Sequence, residues 1–457
     1  GGTNRYQNDS TNQLSEQISW QHGSHTLMTR AEFRRLATGR AAVNSPRGTF
    51  SFNGTQSGYA AADFILGHPV SFGTAGPEVR GRVATWRDGF FVLDKWQVSR
   101  KLTLNYGIRY ELPTVPYTIN GNASLLNRDQ TELIVAKPGY KFIAPNHNNW
   151  APRLGFAYRF TDKTVFRGGA GIYYNANQTN SYTFLNTNPP WSPIYQCNWS
   201  AGLPALSLSN PLAIPAACPL PGSTSGALIV TPPWKQPTGR MNQWSASLER
   251  QLWSGGGLEV QYLGSHSYHL DRNFYNNTPL PGPGPVNARR PNKSFGPIRT
   301  IANDEIANYE SMSVIFRQRM TRGLQMMASY TWAHTLDAST DSNGGGTPMN
   351  PYWWKADYGN SNWDIRHRLV ATFVYEIPFF AVTNPALKGV FTKWQANGIV
   401  TLRGGLPFNV ATATDTANTA ASGTYRPNLV HAASAQCGRG HLIGCIDASA
   451  FMVANLY

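Results

Sequence analysis

The sequence has no long hydrophobic run. No stretch of about 18 consecutive apolar residues, the length needed for a membrane-spanning helix, occurs in its 457 residues. The mean hydropathy is −0.36. A low mean does not exclude a membrane protein, because a strand of a membrane barrel shows only one face to lipid and its alternate residues can be polar.

Charged residues are also scarce. Asp, Glu, Lys and Arg make up 14% of the chain, against 43 glycines and 31 prolines. Because glycine and proline break helices, this mixture favours many strands joined by long polar loops. The formal net charge is +15, but the basic residues are scattered, so we expect no nucleic-acid partner. Arginines that face an aqueous bore or anionic lipid headgroups explain the charge as well.

The sequence lacks the motifs of common catalytic sites. It contains no GxSxG or HExxH motif, no phosphate-binding loop, and no GxGxxG motif in a strand–turn–helix setting. We therefore predict that the protein is not an enzyme. We assign it no catalytic, cofactor-binding or metal-ligating residue, and we expect no cofactor.

Only four cysteines are present, and they form two local pairs, Cys197 with Cys218 and Cys437 with Cys445. Each pair lies in loop-like sequence, and no pair has the CxxC spacing typical of metal or redox sites. We predict two loop disulfides, which form in an oxidising compartment. Four unpaired thiols are the alternative.

What the sequence has in abundance is an alternation of apolar and polar residues, which places successive side chains on opposite faces of a strand. The segment Phe90–Val98 is ambiguous because both of its faces carry apolar residues. Four apolar residues fall on the polar side of clear segments, namely Ile315, Met327, Val370 and Val374. The clear segments are Lys101–Glu111, Arg153–Phe160, Phe166–Tyr174, Trp244–Glu249, Leu258–Tyr262, Ser311–Arg317, Leu324–Trp332 and Arg368–Ile377.

Short and long connections alternate between these segments. The short ones are 98–101, 161–163, 253–256 and 321–323, and the long polar ones are 111–150, 175–239, 269–308 and 335–365. In an outer-membrane barrel, short turns lie at the periplasmic rim and long loops lie outside the cell. The pattern predicts an all-β chain: a transmembrane antiparallel β-barrel with roughly ten to twelve long strands, each long enough to cross a bilayer.

Several distinctive motifs follow one another along the chain. The most specific is Tyr358–Leu369, which reads YGNSNWDIRHRL. The others are Ala61–Gly67, Asp94–Val98, Leu102–Glu111, Asn149–Ala157, Ser329–Asp337, and Trp394 with Gly398–Ile399 and Gly405–Phe408. Together and in this order, these motifs resemble those of Oar-like TonB-dependent receptors of the acidobacterial type.

The resemblance implies that residues 1–457 are the β-barrel domain of a TonB-dependent transporter in the outer membrane. The family barrel has roughly 22 strands, so we expect the chain to be incomplete at both ends, without the carboxypeptidase-regulatory-like and plug domains that precede the barrel in the family. The start at Gly1 also lacks a secretory signal. The implied partners are outer-membrane lipid, the protein's own plug, TonB, and an unidentified small-molecule, glycan or peptide substrate.

The alternation nominates charged residues that would face the bore of such a barrel. For the five arginines, the resemblance suggests anchoring of a plug, which fills most of the lumen; steering of an anionic substrate is the alternative. Asp364, Arg366 and Arg368 share the polar side, where a salt-bridge network is preferred to an acid/base site. The five arginines are Arg109, Arg153, Arg159, Arg167 and Arg317.

Two other functions compete with energised uptake. One is a non-transporting adhesive or structural barrel in the outer membrane. The other is a soluble carbohydrate-binding β-protein or glycosidase, which would need an inward-facing pair of carboxylates. Glu249, Glu259 and Glu376 lie on polar faces, but the sequence does not predict that any two of them are paired.

Overall fold

The computed structural model describes residues 4–43, 48–75, 79–176, 179–191, 194–210, 228–340, 348–377, 394–412, 415–421, 425–433 and 446–453. Within them, twelve long strands form one sheet. They are β1 (Asn4–His22), β2 (His25–Val43), β3 (Gly81–Gln97), β4 (Leu102–Pro113), β5 (Trp150–Thr161), β6 (Thr164–Asn175), β7 (Gly239–Trp253), β8 (Gly256–Tyr275), β9 (Ile298–Thr321), β10 (Leu324–Asp337), β11 (His367–Glu376) and β12 (Gln395–Arg403).

The remaining elements are short and belong to the connections. None of the helices in the described ranges is long and apolar enough to cross a membrane. The helices are Ala60–Leu66, Thr179–Thr183 and Val286–Arg289, with 3₁₀ turns at Phe184–Thr187, Trp354–Asp357 and Ala448–Ala450. The short strands are Thr49–Ser51, Ser71–Ala75, Tyr117–Thr118, Ser124–Leu126, Leu133–Val135, Ile194–Asn198, Ile229–Thr231, Gly359–Asn360, Asn428–Leu429 and Phe451–Met452.

Each long strand pairs antiparallel with the next one along the chain, from β1 to β12. The four predicted short connections are all confirmed, and a fifth, at Gly23–Ser24, joins β1 to β2. These turns lie at one end of the sheet, which we call the turn end. The long connections 44–80, 114–149, 176–238, 276–297 and 338–366 lie at the other end, the loop end, whereas the connection between β11 and β12, residues 377–394, begins and ends at the turn end. The antiparallel all-β prediction is therefore confirmed.

The sheet has two unlike faces, which the register defines because directly opposed residues of an antiparallel pair project to the same side. The apolar face carries residues such as Leu154, Leu248 and Trp332, and their side chains are exposed although they are large and hydrophobic. The charged face carries Arg109, Arg167 and their register partners. A soluble two-layer protein would bury the first face against a second layer, and here that face is open.

Several charged residues on the apolar face lie toward the strand ends and have polar partners there, whereas Glu16 lies farther along β1, opposite Ala31. Near the turn end, Asp94 Oδ2 lies 2.7 Å from His25 Nδ1 and accepts a hydrogen bond from the Tyr106 hydroxyl at 2.8 Å. Nearer the loop end, Glu310 Oε2 accepts a hydrogen bond from the Tyr262 hydroxyl at 2.5 Å. Because amphipathic side chains favour the rims of a membrane barrel, these clusters suit interfacial positions.

The sheet differs from the sequence prediction in two respects: it has two additional strands, and two of the predicted strands are longer than expected. β1 and β2 were not predicted, because the start of β1 carries little apolar alternation. β8 and β9 extend well into the region expected to be a loop, which shrinks from 269–308 to 276–297. The register shifts at His269, whose φ is 58°, and such a bulge lets a strand continue past a local kink.

The connections at the loop end pack into a hydrophobic core of their own. This core lies over the charged face, because Thr38 of β2 hydrogen-bonds Thr179 across 2.9 Å and the guanidinium of Arg40 stacks on the ring of Phe184 at 3.7 Å. The loops therefore fold inward over that face. The buried members are Val83, Val115, Ala123, Leu125, Ala136, Phe142, Ile143, Tyr182, Leu185, Val230 and Ile301.

Candidate functional site

The densest group of charges on the charged face surrounds Glu32 on β2. Arg34 and Arg30 on the same strand pair with Glu32, Arg30 at 3.3 Å. Arg109 on β4 lies 3.9 Å from Glu32 and pairs with Glu111 at 2.5 Å. We call these five residues the Glu32 cluster. Glu32 is its buried centre, with a side chain only 7% exposed.

The Glu32 cluster borders an open cavity of about 150 Å³ on the charged face. Arg87 of β3 also lines this cavity and donates a hydrogen bond to the carbonyl of Ala176. With three arginines, Arg34, Arg87 and Arg109, against two glutamates, the cavity wall carries an excess of positive charge. Such a wall can hold a carboxylate or phosphate through charge-assisted hydrogen bonds.

Closer to the turn end, four charges form a row across β6 to β9. Glu249 and Glu259 lie directly opposite each other in the register. Like charges in that position repel, and each carboxylate turns to an arginine: Glu249 to Arg167 at 2.6 Å and Glu259 to Arg317 at 2.8 Å. The register thus places Glu249 and Glu259 side by side, which the sequence did not predict. Each carboxylate is held in an ion pair with an arginine, so the two do not form a free acid/base couple.

The other predicted arginines on β5 have local partners. Arg153 lies over the ring of Tyr173, with 4.4 Å between the guanidinium and the ring centroid. Arg159 donates to the carbonyl of Arg100 at 2.9 Å, at the turn end. The register puts both on the same face as Arg109. These two arginines are therefore not part of the Glu32 cluster.

The sequence prediction placed Asp364 and Arg366 on the same strand as Arg368, but β11 begins later than that. The strand begins at His367, so Asp364 and Arg366 lie in the segment before it. They form an ion pair at 2.6 Å, and Arg366 also lies 3.0 Å from His334 Nε2. Arg368 is on the strand, exposed, opposite Thr331 and Arg403. The three residues therefore do not form one network.

The charged face also carries apolar side chains, on β10 to β12. The register runs from Met327 through Thr372 to Ile399. Met327 is 45% exposed and Ile399 is 77% exposed. Val374 lies beside them on the same face. We call Met327, Val374 and Ile399 the inner apolar patch.

The loop core is held together by buried amides. Asn188, which is fully buried, donates to the carbonyls of Ser124 at 2.6 Å and Val230 at 2.7 Å, and its Oδ1 accepts from the amide of Val230 at 2.7 Å. This one side chain joins two loops, the β4–β5 connection through Ser124 and two separate parts of the β6–β7 connection. No signal in the sequence distinguishes it from the many other loop asparagines.

Replacing Asn188 with aspartate should loosen the loop core while leaving the sheet intact. The new carboxylate would face two carbonyl oxygens without a proton to donate, and such unsatisfied buried groups cost about 1–3 kcal/mol or more. Hydrogen exchange measured by mass spectrometry should show faster exchange over residues 124–126 and 229–231. The control is Asn148→Asp, at an exposed loop position; equal exchange in both variants would contradict the assigned role.

Two tryptophans in the connections, Trp199 and Trp353, differ in exposure. Trp199 packs in a small core with Phe72, and its Nε1 donates to the carbonyl of Leu203 at 3.0 Å. Trp353 is 64% exposed.

The predicted disulfides are seen only in part. Cys197 is buried and disulfide-bonded. The other three cysteines, Cys218, Cys437 and Cys445, lie outside the described residues, so the pairing stays a prediction.

Much of this site could not be read from the sequence. Arg109, Arg167 and Arg317 were found through their alternation, but Arg30, Glu32 and Arg34 were missed because β2 was not predicted. An Arg-x-Glu-x-Arg spacing places three charges on one face of a strand. That spacing was the available signal.

The family model for the outer membrane beta barrel domain matches residues 1–457. A comparison with curated proteins finds no match. Solved structures with a similar fold include the outer membrane transporter YddB from Escherichia coli, at 10% identity and a TM-score of 0.48, over 87% of this chain and 47% of that one. The alcaligin outer membrane receptor FauA from Bordetella pertussis is 12% identical, with a TM-score of 0.42, over 88% and 47%.

A third is the ferric yersiniabactin uptake receptor FyuA from Yersinia pestis, at 8% identity and a TM-score of 0.43, over 82% of this chain and 41% of that one. The chain thus spans less than half the length of these three proteins. The family match over residues 1–457, the exposed apolar face and the alternation of short turns with long loops all indicate an outer-membrane β-barrel. The chain belongs to the outer membrane beta-barrel domain family, and its place is the outer membrane.

Proposed function

We propose that this chain is the barrel wall of a TonB-dependent transporter that takes up an unidentified substrate with energy delivered through TonB. In this proposal the charged face lines the bore. The wall and its loops bind and guide cargo, and the protein catalyses no reaction. The motifs quoted from Tyr358–Leu369 and elsewhere support the same family of transporters.

The inner apolar patch carries the proposal. In a water-filled bore, Met327 and Ile399 would leave a large apolar area in contact with water, at about 25 cal/mol for each Å². A protein segment inside the bore would cover that area. The same segment would meet the excess positive charge of the Glu32 cluster. Both features therefore support a barrel whose bore holds a plug.

An adhesive or structural barrel is the second candidate, and the inward-folded loop core favours it in one respect. A packed loop layer is a stable surface for contact with other cells. Adhesion, however, gives no reason for exposed apolar side chains on the bore side of β10 to β12.

The full-length protein, including whatever precedes Gly1, tests the proposal in planar lipid bilayers. The wild-type protein should be closed to ions, because the plug fills the bore. The double variant Met327→Asp with Ile399→Asp should show intermittent conductance, because two carboxylates replace the apolar contact with the plug. A control variant, Gln251→Asp, changes a residue on the same face outside the inner apolar patch.

A second measurement separates transport from adhesion. The periplasmic domain of TonB from the same organism should bind the full-length protein in a pull-down or by calorimetry. An open wild-type pore together with no binding to TonB would overturn the proposed function. Closed wild-type and variant pores without TonB binding would favour the structural barrel.

A further inference from the structure

A second concave site lies among the connections at the loop end. Its described lining residues are 278–281, between β8 and β9; 349–352, between β10 and β11; and 412, 416, 417, 419, 425, 426, 428 and 453, after β12. The cavity has a volume of about 340 Å³, within the range of small-molecule sites. We call it the loop pocket.

The walls of the loop pocket are mainly apolar. Pro281, Pro351 and Met349 line it, together with Leu280 and Tyr352. Leu280 is 71% exposed and Tyr352 is 55% exposed. Proline and tyrosine side chains present flat, stiff surfaces, against which a ring can pack with little loss of conformational entropy, and leucine adds apolar area.

The pocket is built before any ligand arrives, because its segments are bonded to one another. The hydroxyl of Tyr352 donates to the carbonyl of Thr278. Asn418 Nδ2 donates to the carbonyls of Gly282 and Gly284, both at 2.9 Å. The segments that contain Tyr352 and Asn418 are thus both hydrogen-bonded to the connection that follows β8, and such preorganisation favours binding.

The charges at the loop pocket are compensated. Of the described residues that line it, Arg426 is the charged one, and its guanidinium pairs with Asp357 at 2.5 Å. Burial raises the pKa of the Tyr352 and Tyr425 phenols, so both are neutral at physiological pH. The other polar groups are hydroxyls and amides, such as those of Thr416 and Asn428. A charged ligand would lose hydration here and find no free counter-charge.

We propose that the loop pocket binds an uncharged small molecule built on an aromatic or aliphatic ring that carries a few hydrogen-bonding substituents. The apolar walls take the ring, and the threonine hydroxyls and the Asn428 amide take the substituents. The inference rests on the proposed function only in identifying the bound molecule as the transporter's cargo. Binding itself requires neither a plug nor TonB.

The test uses full-length protein in detergent, with methionine labelled at its methyl group with ¹³C, and p-cresol as the probe. The Met349 methyl lines the pocket, whereas the Met312 methyl lies on the apolar face and reports partition into detergent. We expect a saturable shift of the Met349 signal with p-cresol. We expect roughly tenfold weaker binding of p-toluate, which replaces the hydroxyl with a carboxylate, and no shift with methyl glucoside.

Variants localise the response. Leu280→Ala should weaken p-cresol binding roughly fivefold, because part of the apolar wall is lost. Leu429→Ala is the matched control, since Leu429 is 62% exposed and does not line the pocket; its binding should stay within about twofold of wild type. Thr416→Trp should abolish the Met349 shift by filling the cavity.

Three results would overturn the inference: a Met349 shift that merely follows that of Met312 without saturating, equal binding of p-toluate, or equal effects of the two leucine variants. Its failure is distinct from failure of the proposed function. A barrel that binds TonB but not p-cresol refutes only the ligand class. A barrel that binds p-cresol in the loop pocket but not TonB refutes only transport.

Discussion

Replacing Glu32 with glutamine is expected to lower the free energy of unfolding of the full-length barrel by about 2–3 kcal/mol. The substitution leaves Arg30, Arg34 and Arg109 clustered around a neutral amide. Removing one partner of a buried ion pair costs about 3–5 kcal/mol. The estimate is reduced here because the three arginine side chains are 18–35% exposed and water screens their repulsion.

The measurement for Glu32→Gln is the temperature at which the folded, fast-migrating band is lost on an SDS gel. Glu249→Gln is the control, because Glu249 is 42% exposed and has a single arginine partner; it should cost less than about 1 kcal/mol. Adding Arg34→Gln to Glu32→Gln should recover part of the loss. Equal melting temperatures for the two single variants would show that the Glu32 cluster carries no special stability.

An arginine at Ala246 is expected to be the most damaging single change on the apolar face. Ala246 is the central residue of β7, and its neighbours on that face are Tyr262 and Gly168. An arginine that faces lipid near the bilayer midplane costs about 2–4 kcal/mol in a membrane barrel. The adjacent Ser245 projects to the charged face beside Gly169, where an arginine has room.

The two variants, Ala246→Arg and Ser245→Arg, differ in face but barely in sequence position. The fraction of protein that folds into lipid vesicles should fall sharply for the first and stay near wild type for the second. If both variants fold equally well, the assignment of the apolar face to lipid is wrong. If only Ser245→Arg fails, the two faces have been exchanged.

The sequence predicted those parts of the fold where one side of a strand is almost purely apolar. β4 to β11 all meet that condition over much of their length. The four predicted turns, from the β3–β4 turn to the β9–β10 turn, contain polar or glycine residues that favour tight reversals. β3 was ambiguous because Phe91 and Leu93 project to the charged face. Loop packing over that face buries Val83 at the loop end of β3, but it does not reach Phe91 and Leu93, which lie nearer the turn end.

β1 and β2 escaped prediction for a different reason. On the apolar side of β1, Tyr6 is followed by Asn8, Ser10 and Asn12, so the alternation disappears over half the strand. Pairing with β2 along its full length forms the strand. Neighbouring strands can thus impose an extended conformation that local sequence does not specify.

The candidate site shows where single-sequence reasoning stops. Alternation tells which face a residue occupies, but not which residues on other strands stand beside it. The pairing of Arg109 with Glu32 depends on the register of β2, β3 and β4, and register is set by turns and tertiary contacts. The loop pocket was equally out of reach, since its segments come together only through long-range contacts between connections.

The unequal lengths of the strands give the wall an uneven height. β9 has 24 residues, which at about 3.3 Å per residue and a tilt of about 40° rise roughly 60 Å, against an apolar band about 25 Å tall. β11 has 10 residues and β12 has 9, which barely cross that band. The edge of the sheet at the loop end is therefore uneven: it is highest at β9 and lowest at β11 and β12. The extra length of β9 lies at the loop end, so the connections that carry Tyr352 and Thr416 leave the sheet closer to the apolar band than the connection between β8 and β9 does.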